Sequence, residues 1–191
     1  MSCEERDSRR VGPISRSILL NQLTAVVLLF LAVVGCKQLQ SLGSPTVLKS
    51  HDGKFQLTVP AGWRENPALN EQADIKAAFP SEEMYVIVIT EPKADFTSEM
   101  TLDEFTKITR DSMLSNLGSS EGTSPSLISV NGNSGEQYEL QGSVKNVKLA
   151  YVVTTVETPA HYHQVITWTL GSRLDKNRAT LQKVIATFRP S

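Results

Sequence analysis

The sequence lacks most features that advertise a catalytic or nucleic-acid-binding protein. Its 191 residues include only two cysteines, Cys3 and Cys36, too few for a disulfide scaffold or a four-cysteine zinc site. Neither sign of charge is in excess: 19 Lys+Arg stand against 20 Asp+Glu, for a formal net charge of −1. A nucleic-acid binder carries a strong basic surplus, so no nucleic-acid partner is expected. No apolar run reaches the roughly 20 residues that a bilayer-spanning helix needs. A Walker-type P-loop, G-x-G-x-x-G and H-E-x-x-H are all missing, and no cofactor is expected. The remaining composition, 40% hydrophobic and 20% charged, excludes wholesale disorder and a polytopic membrane protein.

What is present is unevenly distributed. Leu23–Val34 is an uncharged run whose only polar member is Thr24, and Arg6, Arg9, Arg10 and Arg16 precede it. A basic stretch followed by an apolar stretch of this size is the layout of a secretory signal. Glu4, Glu5 and Asp7, set among the arginines, depart from that layout.

Val33-Val34-Gly35-Cys36 resembles the bacterial lipobox. The resemblance implies a diacylglyceryl group on the Cys36 thiol, cleavage between Gly35 and Cys36, and acylation of the new amino terminus. Two or three chains at about 0.8 kcal/mol per buried methylene anchor stably where one would be marginal. Residues 1–35 are then a signal peptide, 36–48 a lipidated tether and 49–191 the folded domain. The tether, Lys37 to about Val47, is polar and carries Gly43 and Pro45. Cleavage removes Cys3, four arginines and three acidic residues, leaving no free thiol and no polybasic patch. Attachment would rest on the lipid, at the extracytoplasmic face of a bacterial membrane.

Beyond Leu48, strand and helix signals follow in order. Lys54–Val59 alternates strictly, with Phe55, Leu57 and Val59 on one face. Asp74–Phe79 is a second strand, and Met84–Thr90, apolar on both faces, is a central strand covered on both sides. Thr101-Leu102-Asp103-Glu104 has the form of a capping box, opening a helix that Gly118 stops. Ser126–Val130, Gly135–Gly142, Val147–Val156 and His161–Leu170 form an antiparallel meander, with Asn131-Gly132, Lys145-Asn146 and Thr158-Pro159-Ala160 as its turns. Leu181, Val184, Ile185 and Phe188 mark a last helix over about Asp175–Phe188. Ser115–Ser126 is polar and Gly/Ser-rich and reads as a mobile loop.

The order of these elements, opened by Phe55-x-Leu57-x-Val59-Pro60-x-x-Trp63, resembles the PsbP/Mog1-like superfamily, which includes DcrB-type lipoproteins. The resemblance spans about Leu48 to Phe188. It implies an α+β fold, an α/β/α sandwich around a mainly antiparallel sheet. It also implies an accessory or binding role without catalysis, and it carries over no functional residue.

Four groups of residues are candidates for chemistry. Gly118-Ser119-Ser120-Glu121-Gly122 fits G-x-S-x-G, but a nucleophile elbow needs a strand before the serine and a helix after it. His161 and His163, two apart on a strand, would face one side and share a metal if Glu157 or His51 supplied a third ligand. Otherwise they form a strand-end pair exposed to solvent, on the side with Val165, Thr167 and Thr169. Trp63 and Trp168 are core residues or ligand platforms. Glu82 and Glu83, read as adjacent strand residues, point to opposite faces and suit acid–base work poorly. The leading expectation is a non-catalytic lipoprotein that binds another protein at the membrane. Its rivals are a metal- or small-ligand-binding lipoprotein using His161 and His163, and a hydrolase using the 118–122 segment.

Overall fold

A computed structural model describes residues 43–96 and 99–191. Strands β1 (Thr46–Lys49), β2 (Phe55–Val59), β3 (Arg64–Glu65), β4 (Ile75–Phe79) and β5 (Met84–Pro92) come first. Helix α1 (Leu102–Asn116) follows, then β6 (Gly118–Gly122), β7 (Ser126–Val130), β8 (Asn133–Val144), β9 (Val147–Glu157) and β10 (His161–Leu170). Helix α2 (Leu174–Ile185) and β11 (Arg189–Pro190) complete the chain.

The main sheet has eight strands, in the order β3-β4-β5-β10-β9-β8-β6, with β7 also paired to β8. Every pairing is antiparallel, as the short turns require. At the β8–β9 turn, Lys145 and Asn146 both take positive φ, the geometry of a two-residue hairpin whose twist matches its strands.

Strand parity sends two sets of side chains to two cores. Val86, Val88, Ala150, Val152, Val156 and Val165 face α2, whose Leu181, Val184 and Ile185 fall on one helical stripe. Ile87, Tyr138, Leu140, Val153 and Ile166 face the other way, toward Met113, Leu114 and Leu117 at the end of α1. Helix, sheet and helix therefore stack as the expected α/β/α arrangement. The Thr101 capping box forms: Thr101 Oγ1 accepts from the Glu104 amide at 3.2 Å, and the Thr101 amide donates to Glu104 Oε2 at 2.8 Å.

Three features depart from the sequence reading. Phe55–Val59 is not a strand of the main sheet. It is the middle of a separate three-stranded sheet, β1-β2-β11, that shares the α2 side. Its Leu57 and Val59 are fully buried there. Thr46 and Val47, read as the end of the tether, already belong to β1, and Leu48 is buried.

Ser115–Ser126 is not a mobile loop. Helix α1 runs to Asn116, and Gly118–Gly122 pairs with β8 across an irregular register. Two anchors override the local composition: Leu117 packs over Gly142, where a Cβ would come within 2.7 Å of the Leu117 Cβ, and Ser120 Oγ donates to Leu114 O at 2.9 Å. Lastly, α2 ends at Ile185 rather than Phe188. A turn then lets Thr187 Oγ1 accept from the Thr58 amide at 2.9 Å and places Phe188 in the core.

Leu181 is fully buried and Ile108 on α1 is 56% exposed. Leu181→Ala is expected to cost about 2–5 kcal/mol of unfolding free energy. Ile108→Ala should stay within about 0.5 kcal/mol, both read from denaturant midpoints.

Candidate functional site

The two strand-end histidines have different fates. His161 is half-buried at the start of β10, whereas His163 is fully buried, under Phe55 and Phe188. The ring centroids of Phe55 and Phe188 lie 4.3 and 5.0 Å from that of His163, and His161 lies 5.8 Å away. The expected solvent-exposed pair is therefore absent. The face carrying Val165, Thr167 and Thr169, which looked the less apolar, is a core face because the small sheet and α2 cover it.

The hydrogen bonds of His163 fix its chemistry. Thr158 Oγ1 lies 3.1 Å from His163 Nε2 and 3.1 Å from His161 O. Thr90 Oγ1 lies 3.1 Å from Nδ1, so each ring nitrogen has a threonine hydroxyl as its partner, one donating and the other accepting. Burial, with a smaller contribution from His161, pushes its pKa from 6.5 down to about 3. A neutral imidazole with both nitrogens occupied has no lone pair left for a metal. Glu157 is also turned away, its carboxylate accepting from Lys93 Nζ at 2.5 Å. Among the described residues, no three His, Cys, Asp or Glu side chains come together as a metal site requires.

Two hollows share Asp74, and one of them reaches this strand end. The larger, about 520 Å³, runs beside β1 and β4 and is lined by Leu48, Lys49, His51, Glu65, Asp74 and Lys76. The smaller, about 250 Å³, is lined by Asp52, Lys54, Phe55, Asp74, Thr90 and His161. The β1–β2 turn that separates them is tightly built: Asp52 Oδ1 accepts from the Lys54 amide at 3.0 Å and from Ser50 Oγ at 2.8 Å. The Lys54 amide, then Ser50 and the Lys54 ammonium, hold the Asp52 carboxyl far below the usual carboxylate range. The larger cleft has an apolar floor at Leu48 and Ile75 and both signs of charge on its walls. That lining suits a polypeptide segment with mixed side chains. Sequence reasoning weighed only His51 and His161 of these residues, because Asp74 and Lys76 lie in a strand that reads as ordinary.

The other candidates are dispersed. Ser120 lies on edge strand β6, directly after a helix, and its hydroxyl bonds to Leu114 O, so no nucleophile elbow forms. Trp63 is buried in the α2-side core. Trp168 is half-buried on the α1 side, stacked 5.2 Å from Tyr85. Glu82 and Glu83 are not strand residues: Glu82 ends a 3-10 turn, Glu83 is left-handed, and both reach Arg173, at 3.7 and 3.6 Å. Gly35 and Cys36 lie outside the described residues.

No protein-family model matches the chain, and no curated protein matches it by sequence. Solved structures do. Cyanobacterial PsbP (CyanoP) from Synechocystis sp. PCC 6803 superposes with a TM-score of 0.57 at 14% identity, covering 80% of this chain and 95% of that one. LpqN, involved in cell envelope biogenesis of Mycobacterium tuberculosis, superposes with a TM-score of 0.56 at 17% identity, over 77% and 90% of the two chains. The fold is thus of the PsbP-like α+β class, as the order of elements anticipated.

The buried histidine sets the acid response. Its folded-state pKa lies below the unfolded value, so the unfolded chain takes up the proton first and stability falls with pH from about 6.5 toward 3. Between pH 6.5 and 5, above the range where carboxylates titrate, this loss is about 1.5–2 kcal/mol. His163→Gln should flatten that segment of the stability–pH curve, measured by urea unfolding at each pH.

Proposed function

We propose that this chain is a lipid-anchored, extracytoplasmic accessory protein whose PsbP-like domain binds another protein at a membrane and catalyses no reaction. The observation that carries the reading is one juxtaposition. A lipobox-like Val33-Val34-Gly35-Cys36, behind a basic and then apolar leader, stands directly ahead of a fold shared with CyanoP and with the envelope protein LpqN. Nine residues lie between Cys36 and Thr46, ten Cα steps, so a lipid at Cys36 would keep the domain within about 35 Å of the bilayer.

The cleft beside β1, with its apolar floor and walls of both charges, supports this reading as a docking place for that partner. The geometry supports neither rival. A metal at His161 and His163 would have to displace a threonine from a ring nitrogen of the buried His163, and Ser120 lacks the strand–turn–helix that activates a nucleophile.

Growth with a clickable fatty acid should label the wild-type protein and fail to label Cys36→Ser. Labelling that persists in Cys36→Ser would refute the anchor. Photo-crosslinking from Lys49 in native membranes should capture one discrete protein, and substitution of Ser120 by Ala should leave that adduct unchanged.

A further inference from the structure

The α1 side of the main sheet is only partly covered. Helix α1 packs over β8 and β9 and ends at Asn116, beside Leu117 on Gly142. Beyond it, register aligns one row of residues across the sheet: Arg64 opposite Ala78, Ala78 opposite Tyr85, Tyr85 opposite Trp168 and Trp168 opposite Tyr151. The three aromatics form a continuous half-buried stack, with ring centroids 5.2 Å apart for Tyr85–Trp168 and 6.2 Å for Tyr151–Trp168.

The apolar strip continues outward. Leu149 and Leu170, both half-buried, face each other in the next row, and Val144 pairs with Val147 at the tip of the β8–β9 hairpin. By alternation these residues share the face of the aromatic row. The tip valines are 40% and 47% exposed. Rings that are apolar in body and polar at the edge, leading to bare aliphatic side chains at a protruding tip, have the composition of an element seated in a lipid interface.

Charge and chain path select the occupant. The charged strand residues on this part of the face are Arg64 and Lys76, and Lys145 sits in the hairpin turn. The nearby acids Glu82 and Glu83 are drawn to Arg173 and Lys176 on the α2 side. A face of aliphatic and aromatic side chains with a cationic border complements a layer of anionic headgroups.

The point where the chain enters the fold is close by. Thr46 pairs with Val59, and Val59 is five positions from Arg64, so the tether joins the domain at most about 23 Å from the border of this face. Tethering of that kind raises the local concentration of a weak surface contact to the millimolar range.

We infer that the face formed by Tyr85, Trp168, Tyr151, Leu149, Leu170 and the Val144–Val147 hairpin tip docks on an anionic lipid surface. The inference deepens the lipoprotein reading and rests on it for the proximity of the membrane.

The test uses the full chain reconstituted into phosphatidylglycerol/phosphatidylcholine vesicles with brominated acyl chains. The protein has two tryptophans. Trp63 is buried, so contact quenching reports Trp168 and should lower total emission by up to about half. Val144→Asp with Val147→Asp, at exposed positions that leave the fold intact, should abolish the quenching. Arg64→Gln with Lys76→Gln should reduce it at least two-fold and remove its dependence on phosphatidylglycerol.

Unquenched Trp168 in a chain that takes up fatty acid at Cys36 would overturn the docking face and leave the anchor standing. Quenching in a chain that takes up no fatty acid would uphold the face and refute the anchor. A photo-crosslinker at Val147 that captures a protein instead of lipid would assign the face to a protein partner and overturn the inference.

Discussion

The fold depends on a strand with almost no solvent face. From Tyr162 to Thr167 every residue of β10 is buried, and alternation sends His163, Val165 and Thr167 to one core and Tyr162, Gln164 and Ile166 to the other. Both layers are organised against it. Helix α2 and the small sheet close over the first set, and Phe105 of α1 stacks on Tyr162 at 4.6 Å over the second. Polar members of β10 survive burial because each finds a partner: Thr167 Oγ1 donates to Val152 O, Gln164 Nε2 to Glu91 Oε1, and His163 is held by two threonines.

That constraint explains which parts of the structure were legible in the sequence. Elements whose residues pack by their own periodicity were readable, such as the capped start of α1 and the 181/184/185 stripe of α2. The region around His163 was not, because its burial comes from Phe55 and Phe188, which lie 108 residues before and 25 residues after it. Nothing local marks His163 as a core residue. The threonines beside it on the same strand parity made that face look wet. The 118–122 segment failed for the opposite reason: its polar composition is that of a loop, but the neighbouring β8 edge offers backbone partners that composition does not register.

The candidate site was legible only as chemistry types. His51 and His161 were visible as titratable residues, yet the fold places them in two hollows that share Asp74 instead of in one ligand set. The aromatic row had no signature at all, since Tyr85, Tyr151 and Trp168 are separated by 66 and 17 positions and meet only through strand register. Cross-strand neighbours of this kind are set by the hairpin turns, and the Lys145-Asn146 turn is what fixes Tyr151 against Leu140.

The small sheet joins distant parts of the chain: β2 is flanked by β1 on one side and by β11 on the other, and the Thr58 amide donates to Thr187 Oγ1 across 129 positions. Leu57 and Val59 are therefore without a core until α2 and Phe188 have been made. The β1–β2 hairpin can close through its own turn, but its apolar face stays uncovered until the carboxyl-terminal segment has folded. Loop-closure entropy over that separation makes this the slow step of folding, after the local meander has already formed. The domain would thus lock from the far end backward, with β1 and β2 the last strands to gain a core.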